Sequence, residues 1–143
     1  MRTLLLACGN TLRGDDAAAH AVLALIAPTE YHATRAVQQF TPELAAEVAR
    51  FSRVVFIDAD AESKAVRIEP LNSVPRNLKS LGPALTHTAT AEEVVALASA
   101  LFGFSGQAFV CRIPAQHFDA GEAPAPDVLE FAREAASQIA GLI

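Results

Sequence analysis

TLLLACGNTLRGDDAAAHAVLALIA, residues 3–27, decides how the rest of the chain is read. Residues 3–7 form an apolar run of the kind a strand shows when both faces of its sheet are covered. Gly9 and Asn10 break that run, and residues 15–27 are rich in Ala and Leu with apolar positions at helical spacing. A strand, a loop and a helix in this order open an α/β unit, and the loop delivers Asp15 and Asp16 side by side to the mouth of the helix.

The alternation continues. TRAVQQ (34–39) is a weak strand candidate, and TPELAAEVARF (41–51) then offers Thr41 as an N-cap, Pro42 at the first helical position and Glu43 and Glu47 toward the N-terminal half. RVVFIDAD (53–60) reads as a buried strand whose apolar run ends at Asp58, and KAVRIEPL (64–71) alternates as a half-exposed strand does. The short gap between these two suggests an antiparallel hairpin at one sheet edge. Residues 72–87 carry two prolines and a glycine and read as loop. Residues 88–103 are helical, with Thr90 as N-cap, Glu92 and Glu93 in the first turn and Gly103 at the end. QAFVCRI (107–113) supplies a last strand, and DVLEFAREAASQIAGLI (127–143) a closing amphipathic helix.

The order βαβαββαβα predicts an α/β fold: a three-layer α/β/α domain over residues 1–143, with a mostly parallel twisted sheet of about five strands and one antiparallel edge strand. At 143 residues and 52% hydrophobic content the chain is long enough for one real core. No run approaches the ~18 apolar residues of a membrane span. A net charge of −5 with no basic cluster argues against nucleic acid as a partner. Cys8 and Cys111 are far apart, form no CxxC pair and read as core thiols of a reducing compartment, so the expected localisation is cytoplasmic.

In open α/β sheets, ligands bind beyond the carboxyl ends of the strands. That rule gathers Asp15 and Asp16 after the first strand, Asp58 at the end of another and His87 just before the third helix. Carboxylates with one imidazole form an oxygen and nitrogen donor set suited to Ni, Zn, Fe or Mn. The same residues have plainer roles, because Asp15 and Asp16 can cap a helix and Asp58 can accept backbone N–H groups in the following turn. A phosphate site is disfavoured: CGNTLRGDD has neither GxGxxG nor GxxxxGK[ST], and two aspartates at the helix mouth repel an anion. Cys8 has no nucleophile-elbow context, His20 lies within a helix, His32 lies in a surface loop, and His117 has no companion at ligand spacing.

Four features in order, LLLACGNTLRGDD, VVFIDA, THTATAEEVVALA and DAGEAPAPDV, resemble the maturation endopeptidases of [NiFe] hydrogenases over nearly the whole chain. The resemblance implies that Asp16, Asp58 and His87 are the catalytic and metal-binding residues. It implies that they engage nickel already inserted in the hydrogenase large-subunit precursor, the expected partner, before a C-terminal extension is removed. Nickel is then brought by the substrate, and zinc, cadmium or another divalent ion can take its place in vitro. Asn10 is expected to fix the loop that presents Asp16, or to act only as a turn residue. Two departures stand out: the acidic pair runs into Ala17 where the family usually has Gly, and the 38–44 loop reads QQFTPEL in place of a Gly/Thr-rich stretch. The altered loop admits an alternative, a non-catalytic protein that binds a metal centre or peptide on the same fold.

Overall fold

The computed structural model describes residues 2–9, 17–71, 89–115 and 126–143. Among these residues five strands, β1 (Thr3–Cys8), β2 (His32–Val37), β3 (Arg53–Asp60), β4 (Arg67–Pro70) and β5 (Gln107–Pro114), alternate with four helices. The helices are α1 (Ala18–Ala24), α2 (Leu44–Val48), α3 (Ala91–Phe102) and α4 (Pro126–Leu142). The strands form one sheet in the order β2-β1-β3-β5-β4, parallel throughout except for β4 against β5. This is the expected βαβαββαβα order and the expected α/β class.

The apolar runs explain the layering. Successive strand side chains point to opposite faces, so Leu4 and Leu6 of β1 join Val54 and Phe56 of β3 on the face covered by α2 and α3. Leu5, Ala7, Val55 and Ile57 join α1 and α4 on the other. Both faces of β1 and β3 are therefore dry, which is why neither strand alternates in polarity.

Three expectations are corrected. No β3–β4 hairpin forms: β5 lies between them, pairing with β3 from Arg53↔Gln107 to Asp60↔Pro114 and with β4 on its other side. The longer and more apolar β5 gains most by taking a central position, whereas β4 has only four residues and ends at Pro70, which suits an edge because it donates no N–H. The second helix is also shorter than expected. Thr41 and Pro42 form a tight turn whose carbonyls accept from Leu44 and Ala45 N–H, both at 3.1 Å, and the helix proper begins at Leu44. The Thr41 side chain makes no cap; its hydroxyl lies by the Glu43 carboxylate and holds that group below its ordinary pKa. Finally, His32 opens β2 and does not lie in a loop.

The third helix starts and stops as its sequence dictates. Thr90 Oγ1 accepts from Glu93 N–H at 3.1 Å and Glu93 Oε1 accepts from Thr90 N–H at 3.0 Å, a reciprocal capping box. Gly103 ends it with φ +70°, a conformation that costs glycine nothing. Among the described residues no helix is long and apolar enough to cross a membrane.

Candidate functional site

Strand order reverses between β1 and β3, because the chain leaves β1 for β2 on one side and returns to β3 on the other. The crevice beyond the carboxyl ends of two such strands is where loops diverge and leave room for a ligand. Three side chains occupy that edge in register: Cys8 of β1 opposite Asp58 of β3, and Asp58 opposite Arg112 of β5. Neighbouring strands are about 4.8 Å apart, so the three form a short row. Their positions continue the series Leu4-Leu6, Val54-Phe56 and Ala108-Val110, which places all of them on the face covered by α2 and α3.

The row borders a cavity of about 300 Å³. One wall is the N-terminus of α3, through Thr90, Ala91 and Glu92, and the other is the segment after β2, through Gln39 and Phe40. Phe40 is buried and meets Phe56 edge to face, with ring centroids 5.2 Å apart and planes at 84°. Its carbonyl accepts the Ala89 N–H at 3.0 Å, so the two walls are tied together. The 38–44 loop, singled out as a departure in the sequence, thus contributes directly to the crevice.

The strand exit toward the acidic pair is also held. Gly9 has φ +153°, a backbone conformation that side chains disfavour, and its N–H donates to the Val37 carbonyl at 3.0 Å. His20 of α1 reaches back so that its Nε2 lies 2.6 Å from the Gly9 carbonyl oxygen. This gives the helical histidine a structural role: it clamps the end of β1 to the helix that follows.

Electrostatics at this edge centre on Arg112. Its guanidinium nitrogens lie 3.7 Å from Asp60, 3.8 Å from Glu69 and 3.7 Å from Glu92. Asp60 is held below the ordinary carboxylate range chiefly because its Oδ2 accepts from the Ser63 hydroxyl at 2.6 Å. The Glu62 N–H and the Arg112 charge add to this. Cys111 lies on the other face, and burial pushes its thiol up to about 12, which makes it an inert core group.

Of the residues named from sequence, Asp58 stands at the crevice, half-buried two residues before the end of β3. Asp15, Asp16, Asn10, His87 and His117 lie outside the described residues, so the convergence of Asp16 and His87 on Asp58 remains an expectation. Ala17, the residue after Asp16, leads into α1. Ala89, two residues after His87, lines the crevice itself. No group of three or more metal-ligating side chains occurs among the described residues.

Cys8 is a correction. It is half-buried at the crevice and not a core thiol, with its Sγ 3.7 Å from the Gln38 carbonyl oxygen. Arg112 escaped the sequence reading altogether. The usable signal was strand parity, since Cys8, Asp58 and Arg112 each follow two alternate apolar residues at the end of an apolar run.

No family model and no curated protein matches the chain. Solved structures do. The hydrogenase maturating endopeptidase HybD of E. coli superposes with a TM-score of 0.67 at 20% identity, covering 99% of this chain and 91% of that one. The [NiFe] hydrogenase maturation protease HycI of Thermococcus kodakarensis KOD1 gives 0.68 at 22% identity, covering 98% and 90%. The endopeptidase HycI of Escherichia coli gives 0.70 at 16% identity, covering 99% and 90%. From end to end, the chain has the fold of these [NiFe] hydrogenase maturation endopeptidases.

Proposed function

We propose that this protein is a processing endopeptidase that removes a C-terminal extension from the nickel-loaded precursor of a [NiFe] hydrogenase large subunit. The observation that carries this reading is Asp58. A half-buried carboxylate stands near the carboxyl end of β3, beside the strand-order reversal, on a crevice of about 300 Å³. The full-length likeness in fold to hydrogenase maturation endopeptidases supports the same assignment.

In this reading Asp16, Asp58 and His87 are the contacts to the precursor's nickel, and the metal is part of the substrate. A cation held between protease and precursor positions the scissile bond and polarises its carbonyl or a bound water. The protein's own contribution is to fix where that bond lies. β3 is paired on both sides and buried on both faces, so Asp58 is presented from a rigid support. The walls from α3 and the 38–44 loop confine the peptide beside it.

The test is the mass of the precursor before and after incubation with the protein, in nickel-loaded and nickel-free forms. Loss of a C-terminal fragment only from the nickel-loaded form is the expected result. An unchanged mass with a stable complex identifies a binding protein on the same fold.

A further inference from the structure

Arg112 lies in register with Asp58 but is absent from the donor set just described. Its side chain borders two hollows at once. One is the crevice that holds Asp58; the other, of about 260 Å³, is walled by polar residues including Asp60, Ser63, Arg67 and Glu69. An extended chain passing from one hollow to the other along the sheet edge crosses the guanidinium.

The side chain is also in a state suited to receiving a ligand. Its three carboxylate contacts, at 3.7 to 3.8 Å, lie beyond the range of a hydrogen bond. They hold the cation by charge while leaving its fork of five N–H donors unsaturated by those carboxylates. The acidic surroundings also offset the repulsion between this cation and a metal ion bound nearby. The planar guanidinium can donate to more than one backbone carbonyl oxygen in fixed directions, whereas a lysine ammonium is a point charge on a flexible stem.

We infer that Arg112 is a substrate-positioning residue, donating to a main-chain carbonyl of the precursor segment and holding that segment across the sheet edge with its scissile bond at Asp58. The inference rests on the processing reading. The competing account is structural: Arg112 only neutralises Asp60, Glu69 and Glu92.

The deciding experiment measures trimming rate against concentration of nickel-loaded precursor for the wild type, Arg112→Gln and Arg112→Lys, with precursor affinity and melting temperature for each. Arg112→Gln is expected to raise KM about tenfold or more with kcat within about twofold, the signature of lost binding. Its melting temperature stays close to wild type. Arg112→Lys recovers only part of the KM, because it restores charge without the fork. An unchanged KM in folded Arg112→Gln overturns the inference. Should Arg112→Gln fail to fold, Arg112→Lys decides: a raised KM at wild-type melting temperature supports positioning, and a wild-type KM overturns it. A wild type that binds the precursor without trimming it defeats the processing reading alone. Affinity then decides on Arg112, with about tenfold weaker binding by Arg112→Gln supporting it and equal binding overturning it. No affinity in the wild type overturns both.

Discussion

The two edges of the sheet differ in a way that cavity size alone misreports. At the amino edge, where β1 and β3 begin with Thr3 and Arg53, a cavity of about 870 Å³ lies between the C-terminal ends of α1 and α4. At the carboxyl edge the Asp58 crevice is about a third of that size. Yet among the described residues no carboxylate side chain lines the larger cavity, and its two nitrogen-bearing side chains are already engaged: Arg53 donates to the Leu142 carbonyl at 2.9 Å and to Gln107 Oε1 at 3.2 Å, and His32 Nε2 lies 2.7 Å from the Ala27 carbonyl oxygen. These contacts finish helices and join strands. The carboxyl edge, by contrast, gathers Asp58, Asp60, Glu92 and Arg112 where the loops diverge. The charged side chains gather by the strand-order reversal, not at the larger volume.

The largest expected effect separates these edges directly. Asp58→Asn is expected to lower trimming at least about a hundredfold while the protein stays folded, because in the proposed reading it removes a charged contact to the metal-bearing substrate. Ala140→Leu, which adds bulk to the exposed wall of the amino-edge cavity, is expected to leave trimming within about twofold. Kinetics on the same precursor preparation check both.

A second difference is in packing. Phe56 is fully buried two residues before Asp58 and supports Phe40 in the crevice wall. Phe56→Ala is expected to cost roughly 3–5 kcal/mol, read by denaturant unfolding. The helix that forms the opposite wall depends on its cap, so Thr90→Ala is expected to cost about 1 kcal/mol with the fold retained.

The smallest effect is pH-dependent. The Asp60 carboxyl is lowered in the folded state, first by Ser63 and then by the Glu62 N–H. A lowered acid stabilises the fold at pH values above its unfolded pKa of about 3.9 and loses that contribution as pH falls through the folded value. The stability gap between wild type and Asp60→Ala is therefore expected to be full at neutral pH, up to about 1 kcal/mol, and to close below about pH 4. A gap that widens on acidification contradicts this assignment of the Ser63 and Glu62 contacts.

Much of this contrast could be read from the residues. Buried strands announce themselves as apolar runs, and Asp58 was recognisable because it interrupts one at its carboxyl end. The Thr90–Glu93 box and Gly103 marked the third helix for equally local reasons. What escaped was non-local. Nothing within residues 53–71 shows that β5, more than thirty residues on, will take the place beside β3. The Thr41-Pro42 pair satisfies the rules for a helix start, but the chain uses it for a turn. Cys8 was misread because an apolar run does not say where its strand emerges from the core; only the pairing with Asp58 places it at the crevice.

The most direct test of the central claim is the mass of a nickel-loaded large-subunit precursor after incubation with Asp58→Asn and, in parallel, with Ala140→Leu. An intact precursor with the first and a trimmed one with the second is the predicted result. Trimming by folded Asp58→Asn, or its loss in folded Ala140→Leu, contradicts the assignment of the working site to the carboxyl edge.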